Sequence, residues 1–367
     1  MRIAIISPKN RTIYNFRGDL IKEMIRLGHS VFVTGPNHID VEKIESLGAT
    51  FTCIPLEKNG LNIFDDIKYF FKLRSFLKKN KIDISLGYTI KPVIYGSIAA
   101  RLANVKHISA LVTGAGYLFT ANTLKSRLLK IIAKFLYRIG FSCAHHIIFQ
   151  NPDDRDEFIE NSLLKKEKCF VVNGSGVNMN QFKPSTLPSQ LTFFMLGRIM
   201  ISKGVREYLS AAKIIKEKYP NIRFMLLGAI ENIQDSLTMS EIQPFIDNDI
   251  IEFFGETSNV TAFYAKTSVF VLPSYREGTP RTVLEAMAMK RPIITTNAPG
   301  CRQTVLNGKT GFLVPIKDTA ALAEKMEWMI NHPDQIASMG EAAYQHCKDT
   351  YDVIHVNQNM LKIMKVL

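Results

Sequence analysis

The chain has 367 residues, 46% of them hydrophobic, with 46 Lys and Arg against 33 Asp and Glu, a formal net charge of +13. This is the composition of a globular protein with sizeable cores, and the length suits two domains. It excludes a membrane-threaded chain, because the apolar runs fall far short of the roughly 18 residues that span a bilayer. The start, MRIAIISPKN, has too short an apolar core for a secretory signal, so a cytoplasmic chain is expected. Five scattered cysteines (Cys53, Cys143, Cys169, Cys301 and Cys347) form no CxxC pair. They read as reduced, mostly buried thiols rather than a zinc site or a disulfide framework.

In chain order, RIAIIS (2–7) is an apolar strand, followed by a polar loop, SPKNRTIYNFRG (7–18), and a helix from about 18 to Gly28. SVFVTG (30–35) is the next strand, which makes a βαβ unit. IFDDIKYFFKLRSFLKKNK (63–81) is a basic and aromatic stretch. NTLKSRLLKIIAKFLYRIGF (122–141) has five basic residues and no acid. Arg127, Lys130, Lys134 and Arg138 recur there at spacings of three and four, and so share one helical face beside an apolar stripe. Such a helix can lie on an anionic membrane surface, or pack in a core with a solvated basic face. AHHIIFQ (144–150) is a strand, which makes His145 and His146 structural. NPDDRDEF is a capped helix start with acids in its first turn, so Asp154-Arg155-Asp156 reads as helix chemistry and not as a metal-binding DxD.

The segment GSGVNMNQFKPSTLPSQ (174–190) reads as a domain boundary. The expected domains are 1–183 and 184–350, with 351–367 crossing back to the first. A second βαβ unit follows: strand LTFFMLG (191–197), a loop through Lys203-Gly204, a helix to about Lys218, and strand IRFMLLG (222–228). Continuous apolar strands of this kind are buried on both faces, so the fold class is α/β with two doubly wound, Rossmann-like parallel sheets facing across a cleft. In the loop LGRIMISKG (196–204), Gly197 permits a tight turn. Arg198 and Lys203 place two cations near a helix start, a plausible diphosphate cradle. It is not a Walker A loop. After the strand SVFVLP (268–273) comes YREGTPRTVLEAMA (275–288). It puts Glu277 in a Gly/Pro loop and Glu285 inside the following helix, with Pro280 suited to a first helical turn. Asn307-Gly308 is a turn dipeptide.

The segment 273–315, PSYREGTPRTVLEAMAMKRPIITTNAPGCRQTVLNGKTGFLVP, resembles the signature of retaining, nucleotide-sugar-dependent glycosyltransferases of the GT-B fold, and more narrowly the family-four group (glycosyl transferases group 1). The likeness extends through LGRIMISKG, GSGVNMNQF (174–182), YNFRGDLI (14–21), TGAGYLF (113–119) and FQNPDD (149–154). It implies that Glu277 contacts donor-sugar hydroxyls and that amides at Gly278 and Thr279 help hold sugar and phosphate. It further implies that Glu285 binds the ribose and that Arg198 and Lys203 neutralise the departing diphosphate. Retention is implied by the resemblance alone. Many relatives carry paired glycines after the first strand, where this chain has one glycine and two arginines. Asn15 and Arg17 are candidates to meet the acceptor there. Many also carry a histidine in the N-terminal domain, which TGAGYLF lacks, so Thr113 or a backbone group takes that place.

Residues 1–183 hold 27 Lys and Arg against 15 Asp and Glu, whereas 184–367 hold 19 against 18. A basic half beside a neutral half suggests a polyanionic partner, nucleic acid or anionic lipid, or a basic chain with no such partner. YNFRG and TGAGYLF look most like enzymes that extend a sugar on polyprenyl diphosphate. The expectation is therefore a transferase of hexose or N-acetylhexosamine in surface polysaccharide or glycan assembly. It would take a UDP-sugar donor and a lipid-linked acceptor without metal or other cofactor. It would dock on anionic lipid at the inner face of the cytoplasmic membrane and bind no nucleic acid. The competing readings are a sugar-nucleotide epimerase of the same fold, a sugar-nucleotide sensor and a basic nucleic-acid-binding protein. The last has no aromatic–basic RNA-binding signature behind it.

Overall fold

The structure is a computed structural model that describes residues 1–57, 62–114 and 124–367, leaving the side chains of 63 and 124–130 outside the description. It divides into two compact units, Met1–Ser175 with Val353–Leu367, and Gly176–Asp352. The chain leaves the first unit earlier than residue 183. Val177 and Phe182 are already buried in the second core, so the apolar residues of the expected boundary segment choose its side.

The first unit is a seven-stranded parallel sheet of β1 (Arg2–Ile6), β2 (Ser30–Gly35), β3 (Thr50–Cys53), β4 (Ile84–Tyr88), β5 (His107–Val112), β6 (His146–Phe149) and β7 (Cys169–Val171). Their spatial order is β3-β2-β1-β4-β5-β6-β7. One face is covered by helices Ile63–Lys79, Ser97–Leu102 and Leu124–Cys143, which bury Tyr69, Leu73, Ala99, Ala100, Tyr137 and Phe141 together. The other face takes helix Asn10–Arg26 and the C-terminal helix Val353–Ile363, which contribute Ile13, Leu20, Met24, Met360 and Leu361.

The second unit is a six-stranded parallel sheet of β8 (Thr192–Leu196), β9 (Arg223–Leu227), β10 (Glu252–Phe253), β11 (Val269–Leu272), β12 (Ile293–Thr296) and β13 (Gly311–Val314). Its order is β10-β9-β8-β11-β12-β13. In both sheets a strand order that first runs one way and then the other leaves a crevice outside the strands' C-terminal ends, between β1 and β4 and between β8 and β11.

Two local expectations are corrected. The first helix begins at Asn10, not near 18, so the loop after β1 is only Ser7–Lys9. Nothing in 10–17 breaks a helix, and Ile13, Leu20, Ile21 and Met24 fall at helical spacing on the buried side. The thiols are also less buried than expected: only Cys301 and Cys347 are fully buried, and the other three are half-buried.

Candidate active site

The β8/β11 crevice brings two loops together. The loop after β8 carries Arg198, a single turn at Ile201–Lys203, and Gly204 ahead of the helix Val205–Lys218. The loop after β11 carries Ser274 to Thr279 ahead of the helix Arg281–Ala288. Gly204 is what lets them meet. It is left-handed (φ +74), and a Cβ there would lie 2.1 Å from the Pro273 carbonyl oxygen. The tight turn was expected at Gly197. Instead Gly197 has room for a Cβ, and its carbonyl packs against Gly228. The Tyr275 amide donates to the Ser202 carbonyl at 2.9 Å, which ties one loop to the other. From the opposite side the Glu277 amide donates to Pro299 at 2.9 Å, and Gly300 (φ +80) fits against the Glu277 carbonyl, where a Cβ would stand 2.1 Å away. Three strand ends therefore fix the backbone under Glu277.

Lys203 Nζ forms an ion pair with Glu277 Oε1, joining two residues from opposite sides of the crevice. Ser274 Oγ donates to the same oxygen at 2.8 Å. The side chains are 21% and 13% exposed, enough for a ligand to reach and too little for water to screen the pair fully. Arg198 stands apart. It is half-exposed and its Nη1 meets Glu231 Oε2 at 3.1 Å. Glu231 was not anticipated, nor was Asp235, which accepts from the Ser202 amide and hydroxyl and so anchors the basic loop. Both lie more than thirty positions away in sequence, where no local pattern points to them. Below the loop, burial first and the Glu277 charge second push the Cys301 thiol up to about 12, so it stays protonated.

Pro280 caps the helix from outside, with an extended backbone, instead of lying in its first turn. Gly278 and Thr279 form the half-buried approach to that cap, and the Thr279 hydroxyl donates to the Gly278 carbonyl at 3.0 Å. Glu285, a turn into the helix, is nearly buried. Its Oε2 accepts from Tyr264 OH at 3.0 Å, and its Oε1 lies 3.0 Å from Arg281 Nε. Burial outweighs both partners and pushes the Glu285 carboxyl above its ordinary range. Tyr264 is itself held by Arg291, a fully buried guanidinium that donates to the carbonyls of Tyr264, Ser185 and Thr186.

Two family models match the chain: "Glycosyl transferase 4-like" over residues 2–151 and "Glycosyl transferases group 1" over 178–346. The capsular polysaccharide biosynthesis glycosyltransferase CapM of Staphylococcus aureus is 30% identical over 76% of this chain and 75% of its own. The chain is a group 1 glycosyltransferase. A Campylobacter jejuni relative, N,N'-diacetylbacillosaminyl-diphospho-undecaprenol alpha-1,3-N-acetylgalactosaminyltransferase, is 28% identical over 99% of this chain and 98% of its own. Among solved structures, a Rickettsia africae glycosyltransferase superposes with a TM-score of 0.80 at 21% identity over 99% of this chain and 97% of that one. Anabaena HepE with UDP-glucose gives 0.80 at 16% identity over the whole of both chains. The fold is GT-B.

In the first unit of this glycosyltransferase, the β1/β4 crevice is lined by hydroxyls. Tyr88 OH donates to Ser7 Oγ at 2.6 Å and lies 2.9 Å from Thr12 Oγ1. The longer helix separates the two acceptor candidates. Asn15 is exposed, whereas Arg17 is buried with its guanidinium 5.4 Å from the centre of the Tyr88 ring. Thr113 follows β5 and is half-buried; 115–119, the rest of TGAGYLF, lies outside the described residues. His145 and His146 stand at the opposite, N-terminal end of the sheet. His145 Nδ1 accepts from the Ile108 amide at 3.0 Å, and burial first, then its neighbouring histidines, push His146 down to about 4. Asp154 is the buried first-turn residue of a helix capped by Asn151, whose side chain accepts from the Asp154 amide at 2.8 Å.

The expected basic helix Leu124–Cys143 is present, and the side chains of Arg127 and Lys130 lie outside the described residues. Lys134 donates to Asn161 at 2.7 Å and Arg138 to the Ser162 carbonyl at 3.0 Å, so these two cations are tied to the protein's own loop. Among the described residues no helix is long and apolar enough to cross a membrane.

Proposed function

We propose that this glycosyltransferase moves a hexose or N-acetylhexosamine, with retention, from a UDP-sugar to a polyprenyl-diphosphate-linked saccharide in bacterial surface polysaccharide assembly. The observation that carries the reading is the Lys203–Glu277 pair at the β8/β11 switch point. It sets a carboxylate able to hold sugar hydroxyls against a cation able to meet phosphate. The acceptor class rests on the relatives. The Campylobacter enzyme is named for a diphospho-undecaprenol substrate, and an Escherichia coli relative, 27% identical over 72% of this chain and 70% of its own, for UDP-Gal and a diphosphoundecaprenol.

In the proposed reaction the anomeric C–O bond to the diphosphate breaks. Positive charge grows on the sugar while negative charge grows on the leaving oxygen. Lys203 meets that oxygen, and Arg198 turns from Glu231 to the diphosphate. Fixed cations aimed at developing charge are the most effective electrostatic catalysts, and here they take the place of a metal. The leaving phosphate accepts the proton of the acceptor hydroxyl as the new C–O bond forms on the same face of the sugar. Glu277 orients the sugar, Gly278 and Thr279 supply amides, and Glu285 holds the ribose. The first unit receives the acceptor at the C-terminal ends of its strands, on the side of Arg17 and Thr113 and not of the exposed Asn15, on the cytoplasmic face of the membrane.

The test is UDP release and lipid-product formation with a panel of UDP-, GDP- and dTDP-sugars and a polyprenyl-diphosphate saccharide. UDP is expected to raise the melting temperature, by about 3 kcal/mol of stability at a hundredfold excess over its dissociation constant. Lys203→Ala is expected to cut turnover at least about a hundredfold, the scale of losing one charge-stabilising donor, while UDP still binds. Wild-type turnover in Lys203→Ala would sink the phosphate role. Interconversion of UDP-sugars without an acceptor would replace transfer by epimerisation.

A further inference from the structure

The helix Ile63–Lys79 carries two apolar stripes, and only one of them is used. Tyr69, Leu73, Phe76 and Leu77 are buried against the sheet. On its outer side Phe64, Ile67 and Phe71 are 76%, 47% and 59% exposed. Their spacings of three and four residues place them in one line along the helix, and the same spacing continues to Arg74 and Lys78. A globular helix needs a single apolar stripe, and a second one left open marks a contact surface. Phe71, Arg74, Ser75, Lys78 and Lys79 line a groove of about 470 Å³ on this face. No carboxylate pairs with Arg74, Lys78 or Lys79 among the described residues; the one side-chain bond they make is a 3.4 Å contact from Arg74 Nε to the Leu102 carbonyl.

In the same layer, on the far side of the segment 92–102, the helix Leu124–Cys143 leaves Ile131 and Phe135 65% and 60% exposed. Charge is divided to match. The first unit holds 28 Lys and Arg against 15 Asp and Glu, and the second 18 of each, so the whole net charge lies on the unit that bears this face. An apolar line running into a groove of uncompensated cations complements acyl chains under anionic headgroups. Nucleic acid would leave Phe64, Ile67 and Phe71 uncovered.

We propose that the outer face of Ile63–Lys79, together with Ile131 and Phe135, is the surface by which the protein docks on an anionic lipid bilayer. Arg74, Lys78 and Lys79 engage lipid phosphates, and Phe64, Ile67 and Phe71 enter the headgroup–acyl boundary. This deepens the reading of a lipid-linked acceptor and rests on it for its purpose, but binding can be measured without turnover.

The experiment is flotation of the full chain with vesicles of phosphatidylcholine alone and of phosphatidylcholine with phosphatidylglycerol. The wild type is expected to float with the anionic vesicles only, and to be released as salt is raised. Lys78→Ala with Lys79→Ala is expected to lower partition about fivefold for each cation removed, and Phe64→Ser with Phe71→Ser to lower it at least as much. All four positions are exposed, so the variants keep the wild-type melting temperature. They also keep activity on a short, water-soluble acceptor and lose it on the vesicle-embedded one. No wild-type flotation, equal flotation with both vesicles, or unchanged flotation of both variants would overturn the proposal. A wild type that floats yet transfers no sugar to either acceptor would refute the transferase reading and leave the docking surface standing.

Discussion

Glu285 is a carboxylate placed where its charge lowers stability. Burial raises its pKa above the ordinary value of 4.5 despite Tyr264 and Arg281. The folded chain therefore holds this proton more tightly than the unfolded chain does. Stability from this group is greatest below pH 4.5, falls as pH rises from there to the raised folded value, and stays low above it. Glu285→Gln resembles the protonated form. It is expected to melt higher than the wild type at neutral pH, with the gap closing as the pH approaches 4.5. The same variant is expected to lose about tenfold or more in UDP affinity, the scale of a hydrogen bond to a charged group. Melting curves against pH together with a UDP titration check both. A variant with unchanged UDP affinity would remove the ribose assignment. The two glutamates were legible because both lie in one continuous stretch of sequence. Their immediate partners were not. Tyr264 reaches Glu285 from an earlier helix, and Lys203 reaches Glu277 across the crevice, so each pairing exists only after the sheet has formed.

At the scale of elements, the site depends on two strand-end loops sharing one backbone seam. Gly204→Ala puts an L-residue at φ +74, which costs about 1–2 kcal/mol before any contact is counted. Its Cβ would also drive into the Pro273 carbonyl, so the total is expected to exceed about 2 kcal/mol, with turnover falling because Tyr275 and Ser202 part. Gly255 is the internal control, being left-handed (φ +65) with open space around it. Denaturant unfolding of Gly204→Ala and Gly255→Ala separates the conformational cost from the seam, and equal losses would mean that the seam contributes nothing. Strands were the most legible elements, since runs such as SVFVTG are buried on both faces and leave no amphipathic ambiguity. Helix starts were less legible. Asn10–Arg26 has no side-chain cap and carries a buried Arg17 on its apolar side, so its first two turns look polar in sequence although they pack on the sheet.

At the scale of the whole molecule, the chain crosses between its units twice, and the second crossing completes the first unit. Met360, Leu361, Met364 and Val366 enter the same core as Ile13, Leu20 and Met24 from the opposite end of the sequence. Burying four such side chains contributes about 6–12 kcal/mol, which matches the whole stability of an ordinary domain at about 5–15 kcal/mol. Removing Val353–Leu367 is therefore expected to unfold the first unit alone. The second unit closes on itself at Asp352: Tyr351 is buried in its core, and the Val177 amide donates to the Tyr351 carbonyl at 2.9 Å. Calorimetry of the truncated chain is expected to show one remaining transition, still shifted upward by UDP, while limited proteolysis clears residues from 1 to about 175. Simultaneous loss of both transitions would mean that the two units fold as a single cooperative body, and that the second unit does not bind UDP without the first.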